Sequence, residues 1–245
     1  MRLKGHGALV LVAALLAAAG TARLGWWQLD RAATKNRLQA DLQSQRALPA
    51  LTVTALPADA AAASAQAQRA VQLAGHWLAE NTVYLDNRPM AGATGFYAVT
   101  PLRLDDGSVV LVQRGWVARD MQDRGRIHAP PAPDGAVVVQ GRLVPDLPRL
   151  YELGAAGTGP IRQNLDIESY ARETTLPLRP FAVVQEDGAT PPPDGLLRRW
   201  PEPAVGVQKH YGYAFQWFAL CALIVGLYAW FQLILPRRAH VQAAA

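Results

Sequence analysis

Tyr211–Leu235 reads YGYAFQWFALCALIVGLYAWFQLIL, 25 residues without a charge. As a helix it is long enough to cross the hydrocarbon core of a bilayer with some tilt. Its aromatic residues gather at both ends, Tyr211, Tyr213 and Trp217 at the start and Tyr228, Trp230 and Phe231 at the finish, where the two interfaces of a membrane hold such rings. Pro236 stops the helix and Arg237-Arg238 follow at once. A buried helix of a soluble protein seldom carries such flanks. With Lys209 and His210 at its mouth, the segment is read as a membrane span over residues 209–235.

The other end of the chain has a matching run. Gly7–Ala22 is apolar or small throughout, and Leu24–Trp27 extends it. Residues 7–27 rise about 31 Å as a helix, the thickness of the hydrocarbon core. Arg23 lies near the outer end, where its stem can snorkel, and Trp26 and Trp27 lie where an aromatic belt lies. The rival reading is a cleaved signal peptide: Arg2 and Lys4 make a basic start, and Ala17-Ala18-Ala19 offers a small-residue cleavage pattern. The Trp pair favours retention, because it anchors a helix end. Arg2 and Lys4 on one tail and Arg237 and Arg238 on the other put both termini in the cytoplasm under the positive-inside rule. Residues 28–208 are then outside, which in a bacterium is the periplasm.

The charge map agrees with this division. The chain carries a formal charge of +5, which first suggests nucleic acid. All 19 acidic residues, however, lie between Asp30 and Glu202, together with 18 of the 24 Lys and Arg, a formal charge of −1 for that stretch. The other six basic residues, Arg2, Lys4, Arg23, Lys209, Arg237 and Arg238, all flank apolar runs. The excess charge belongs to membrane borders rather than to a phosphate-binding face. The one cysteine, Cys221, excludes an intramolecular disulfide, a CxxC pair and a CxxCH haem attachment. Arg outnumbers Lys 21 to 3, a composition that fits a GC-rich bacterium.

Between the spans, Gln28–Arg46 reads as a helix leaving the membrane, with Leu38 and Leu42 on one face and Pro49 ending it. Residues 55–68 read as a short helix or a poorly ordered connection. Ala70–Ala74, Thr82–Leu85, Phe96–Leu104, Val109–Val117, Ala136–Val144 and Phe181–Gln185 read as strands. Asp105-Asp106-Gly107 makes a hairpin turn, Asp134-Gly135 opens the next strand, and Asp166 is placed to N-cap a helix over Ile167–Thr175. Pro191-Pro192-Pro193, Pro201 and Pro203 make a stiff approach to the second span. The fold class is α+β: two transmembrane helices at the termini flanking an antiparallel β-sheet or small β-barrel.

The chain lacks GxSxG, HExxH, P-loop and GxGxxG patterns, and none of its carboxylates forms a spaced acid/base pair. Gly154, Gly157 and Gly159 have the wrong spacing for a phosphate cradle and read as a loop. An enzyme is not expected. Of His6, His76, His128, His210 and His240, no two have metal-ligand spacing. His210 stands out by position, at the outer mouth of the second span with Tyr213 and Trp217 after it. There it reads either as a haem-iron ligand or as an interfacial polar residue capping the helix.

Four blocks resemble the surfeit locus protein 1 family of cytochrome c oxidase assembly factors, over nearly the whole chain. LGWWQLDRAATK (Leu24–Lys35) is similar to the post-membrane signature at Gly25, Trp27, Gln28, Arg31 and Lys35. YLDNRPMAGATGFYAVTPL (Tyr84–Leu102) is similar to the central block, including Asn87, Arg88, Gly92, Gly95, Thr100 and Pro101. VLVQRGWV (Val110–Val117) carries Arg114-Gly115-Trp116, and KHYGYAFQWFAL (Lys209–Leu220) matches at His210, Tyr213, Ala214, Trp217 and Phe218. Gln208 and Gln113 stand where the family often has Asn; both keep an amide.

The resemblance implies retained membrane helices and work on haem-copper oxidase assembly, at the stage where haem a enters the catalytic subunit. Partners would be that subunit, other assembly factors and the lipid bilayer. It links His210 to transient haem a binding, with Tyr213 and Trp217 beside it. Gly92, Gly95 and Gly115 are read structurally, at turns or bulges. Arg114 and Trp116 are read onto alternate sides of a strand, so that only one need face the core. The alternative is a scaffold that stabilises an assembly intermediate without touching haem.

Overall fold

The computed structural model describes residues 3–123, 126–127, 132–151, 157–188, 194–201 and 206–235, with side chains from Gly7 onward. Arg2, His128, Gly154, Pro191-Pro192-Pro193, Pro203, Pro236, Arg237-Arg238 and His240, each read above, lie outside those residues, as do the side chains of Lys4 and His6. The chain divides into two compact units, residues 1–40 with 202–245, and residues 41–201.

The first unit is a pair of apolar helices. Helix α1, Leu3–Ala47, is one unbroken helix of 45 residues whose last turns belong to the second unit. The expected membrane helix and the expected exit helix after Gln28 are thus a single rod. Helix α4, Val207–Ala229, continues into a wider π turn over Trp230–Ile234. Both helices reach a mean hydropathy of 1.9 over membrane-length windows, long and apolar enough to span a bilayer. Leu9, Leu16 and Phe215 are each about 70% exposed (69%, 69% and 74%), so the helices present apolar side chains outward, as lipid contact requires. Ala18 meets Cys221, Gly25 meets Phe218 and Gln28 meets His210, so α1 ascends as α4 descends.

The second unit is a β-barrel with a flap. After a one-turn helix α2, Ala60–Ala65, capped by Asp59, come strands β1 Ala70–Trp77, β2 Val83–Met90, β3 Ala93–Leu104, β4 Val109–Ala118 and β5 Ala136–Val144. The two-residue strand β6 Ile161–Arg162, helix α3 Ile167–Thr174 and strand β7 Leu178–Gln185 complete it. The strand order is β1-β5-β7-β4-β3-β2-β6, and β1 also pairs with β3. Strands β1, β5, β7, β4 and β3 therefore close into a five-membered ring, with β2 and β6 as an outer flap. Pairing is antiparallel except for β4 with β7 and β2 with β6. The six expected strands are present, β5 with the expected bounds and the others extended at one end or both, and the Asp106–Gly107 turn forms as expected: Gly107 has φ +81° and Ser108 N–H donates to Asp106 Oδ1 at 2.9 Å.

Closure leaves the wall apolar on both faces. Val71, Leu73, Leu102, Val110, Val112, Val139, Leu143, Phe181 and Val183 alternate into the lumen, plugged by Leu51, Leu56 and Ala63. On the outside, Val99, Leu111, Trp116, Ala182 and Val184 pack beneath Val83 and Leu85 of β2 and Ile167 and Tyr170 of α3. Asp166 accepts from Ser169 N–H at 2.8 Å as the expected N-cap, and the Tyr170 hydroxyl donates to Asn81 O at 2.6 Å. Alternation in a regular strand would put Arg114 and Trp116, two residues apart, on the same face. The register instead pairs Val99 with Gln113 and Ala98 with Gly115, leaving Arg114 as the extra residue of a bulge. Arg114 continues the lumen stripe of Val110 and Val112, and the bulge turns Trp116 to the outer side. Both are buried, at 3% and 4%, because both faces are covered; the expectation that only one need face the core is corrected.

A barrel of five strands bends sharply, and Gly141 sits where β5 presses on β7. A Cβ there would lie 2.2 Å from the Val184 carbonyl oxygen, a backbone atom that cannot swing aside. Gly141→Ala is expected to destabilise the barrel by about 2 kcal/mol or more, read as a lowered unfolding midpoint by circular dichroism. An unchanged midpoint would show that the strands can part there at little cost.

Candidate functional site

Along α1, Thr21, Gly25, Gln28 and Ala32 recur at spacings of four, three and four, which places them on one helical stripe. Thr21, Gly25 and Ala32 are buried, as is Ala214 on α4, whereas their neighbours face outward. Small residues let the backbones approach, since lipid supplies no hydrophobic drive between helices. At Gly25 the Phe218 ring fills the space a side chain would need, 2.7 Å from the Cβ position. Trp26 meets the same ring edge-on at 5.8 Å between centroids. The Thr21 hydroxyl donates back to Ala17 O at 2.9 Å, which satisfies it without a partner helix. The Cys221 thiol reaches Ala18 O at 3.4 Å.

Above this stripe lies the polar part of the pair. His210 Nδ1 stands 2.7 Å from Gln28 Oε1, and both residues are half-buried. A carbonyl oxygen only accepts, so Nδ1 carries the proton and donates it. The imidazole is then held in the tautomer whose Nε2 keeps its lone pair, and that nitrogen has no partner among the described residues. Beyond it the Asn36 amide donates to the Tyr211 hydroxyl at 3.1 Å. On α4, helical geometry sets Tyr213 and Trp217 on the flank of His210, three and seven residues on. Tyr213 is half exposed and Trp217 partly buried.

The other residues singled out in the sequence separate. Trp27 turns outward, with the Arg31 guanidinium stacked 5.6 Å over its ring. Arg114, Gly115 and Trp116 belong to the barrel. Gly115 has a structural reason: a Cβ would sit 2.5 Å from Leu196 Cβ. Trp116 donates its indole N–H to Arg88 O at 2.8 Å, and its main chain pairs with Leu197 in both directions. Gly92 has φ +81° at the β2–β3 turn, as its turn reading requires.

The sequence reading missed the buried arginines of the barrel unit as a group. Arg88 donates to Gln163 O at 2.7 Å over the Tyr97 ring, and Arg162 forks onto Glu173 at 2.7 and 2.5 Å. Arg88 follows Asp86 and Asn87 and Arg162 lies in a strand of two residues, so neither carried a local signal of burial. Among the described residues, no group of three or more His, Cys, Asp and Glu side chains is placed to hold a metal ion.

Comparison with known proteins bears on the whole chain. The model of the SURF1 family matches residues 15–222. A SURF1-like protein of Rickettsia bellii (strain RML369-C) is 26% identical over 209 residues, 84% of this chain and 83% of its own. Its counterpart in Rickettsia felis (strain ATCC VR-1525 / URRWXCal2) is 25% identical over 210 residues, 84% of this chain and 88% of its own.

The strength of the Gln28–His210 bond at the mouth of the helix pair is measurable. Gln28→Leu and His210→Leu, singly and together in the full chain, are expected to give a double-mutant coupling on the order of 1 kcal/mol in reversible unfolding in detergent. Additive effects would mean that the two side chains do not hold each other.

Proposed function

The chain belongs to the SURF1 family, and from that premise we propose that it is a membrane-anchored assembly factor for haem-copper (cytochrome c) oxidase that assists haem a on its way into the catalytic subunit. In this reading it makes and breaks no covalent bond. Haem a is cargo, held for a time and passed on, and the catalytic subunit and other assembly factors are its partners. Both helices stay in the inner membrane of a bacterial cell, with both termini in the cytoplasm and the barrel in the periplasm. Retention is supported by what the first helix does: Ala18, Gly25 and Gln28 are all engaged with α4. Antiparallel helices bring both termini to one side, and the basic tails favour the cytoplasm for that side.

The observation that carries the haem reading is the Gln28–His210 bond. A histidine that ligates iron typically donates its other ring N–H to an oxygen, which fixes the tautomer and raises the basicity of the ligating nitrogen. Here Gln28 Oε1 takes that proton, and Nε2 is left to bind iron. His210 is half-buried at the mouth of the pair, with Tyr213 and Trp217 as apolar neighbours for a porphyrin. These residues fit the group by the chemistry of the donor. In this scheme His210 ligates, Gln28 orients the ring, and the aromatic pair shields the site from water. The second reading is a scaffold that never touches haem, favoured by the same contact: a hydrogen bond between two helices fixes their register without any cargo.

The full chain purified from cells that make haem a is expected to carry it, with an absorption spectrum that changes in His210→Ala and with most of the haem lost. Gln28→Leu is expected to weaken haem retention by about tenfold while His210 remains. Equal haem a in wild type and His210→Ala would remove the ligand assignment and leave the scaffold. Deletion of the gene is expected to lower oxidase activity and the haem a signal of the membranes; unaltered membranes would end both readings.

A further inference from the structure

Arg114 continues the lumen stripe of β4 to the mouth of the barrel, and that arginine is under-bonded. Arg114 is 3% exposed, yet it makes no hydrogen bond among the described residues, and its Nε is enclosed without a partner. Its one ion pair, to Asp194 Oδ2, spans 3.7 Å, too long for a hydrogen bond. The same oxygen is already taken at close range by the Arg198 guanidinium, which also donates to Asp187. Arg114 is thus the odd cation beside a satisfied pair. Burial, the largest influence, pulls its pKa below the ordinary value; Asp194 pushes it up and Arg198 pulls it down again. A buried guanidinium without hydrogen bonds is costly unless something at the site completes it.

The surroundings have the form of a binding site. Arg114 lines a cavity of about 200 Å³ with Trp77, Val137, Val139, Gln185 and Asp194. These residues continue the lumen stripes of β1, β5 and β7, so the cavity is the open end of the barrel, a usual place for small ligands. The Trp77 ring lies under the guanidinium at 5.1 Å and holds it from below. Gln185 is 6% exposed, and its Oε1 is buried without a partner. The two ends of an amide exchange by a half-turn of the group, so Gln185 can present either a donor or an acceptor there. Two polar groups, each more than nine-tenths buried and incompletely bonded, therefore line one small cavity whose carboxylate, Asp194, is already engaged by Arg198.

We propose that this cavity binds a small carboxylate with a short apolar body, its carboxylate bridging Arg114 and Gln185 and its chain lying against Trp77, Val137 and Val139. A planar carboxylate matches the fork of a guanidinium, two parallel N–H donors to two oxygens. A phosphate dianion fits less well, because one guanidinium and one amide leave oxygens unbonded beside Asp194. In a regular strand Trp116 would follow Val110, Val112 and Arg114 into the lumen; the bulge turns it out and leaves the mouth to Arg114. The inference does not rest on the haem reading, since all these residues belong to the barrel unit.

The test uses the full chain in detergent micelles, with butyrate, its neutral isostere butyramide, and inorganic phosphate as probes in ligand-observed nuclear magnetic resonance. Butyrate is expected to bind at least about tenfold more tightly than butyramide, and more tightly than phosphate. Arg114→Met, which keeps the stem and removes an under-bonded charge, is expected to retain the fold by circular dichroism and lose the preference for the acid. Gln185→Leu, should Arg114→Met fail to fold, is expected to weaken butyrate several-fold with little effect on butyramide. Equal binding of acid and amide to wild type would overturn the proposal, as would tighter binding of phosphate or an unaltered preference in a folded Arg114→Met.

Discussion

Two apolar helices gain nothing from each other that lipid does not already give them, so their register must come from close packing and from polar groups that would otherwise be left bare. In this chain the packing comes from a stripe of Thr21, Gly25 and Ala32 and the polar group from Gln28 with His210. Phe218 in the space left by Gly25 sets the depth of one helix against the other, and the hydrogen bond sets their rotation. The arrangement that aligns the helices also selects one tautomer of a ring at their mouth. The assembly reading depends on that coincidence of structural and chemical roles in one contact.

The barrel unit solves a different problem. Five strands are few for a closed sheet, and such a barrel must bend its strands hard. Glycines at the closest backbone approaches, Gly75, Gly95 and Gly141, permit the bending. The bulge at Arg114 breaks the alternation of β4 at the rim, so that one strand seats Trp116 beneath β2 and leaves a guanidinium on the lumen side. Where β2, α3 and residues 194–200 cover the wall, polar side chains cannot reach water, unlike the exposed Gln72, His76, Arg103 and Gln140 elsewhere on it. This is why Arg88, Arg114, Arg162 and Arg198 are all buried and nearly all paired or stacked.

Much of this was legible in the sequence. The uncharged run at Tyr211–Leu235 and its aromatic ends announce a span without help from neighbours, and alternation placed the strands within a few residues of their ends. His210 drew notice by position alone. Its partner was named only as a motif residue, because nothing in a one-dimensional string pairs position 28 with position 210. The bulge was equally hidden: it depends on the register of β4 against β3, which the periodicity of β4 cannot fix. The parallel pairing of β4 with β7, and the ring it closes, likewise depend on strand order rather than on any local pattern. The two residues of β6 are too short to leave a signal.

The position of β7 has a consequence for synthesis. It is the last strand made, yet it sits between β5 and β4 and pairs with both. Until Leu178–Gln185 has emerged, no ring exists. What exists is an open sheet with β4 and β5 each showing a bare edge, the kind of surface that recruits other chains. A message that stops after β5 would therefore yield not a smaller barrel but an adhesive one. Closure comes only about twenty residues before α4 begins, so the ring is complete in the chain shortly before the second long helix is made.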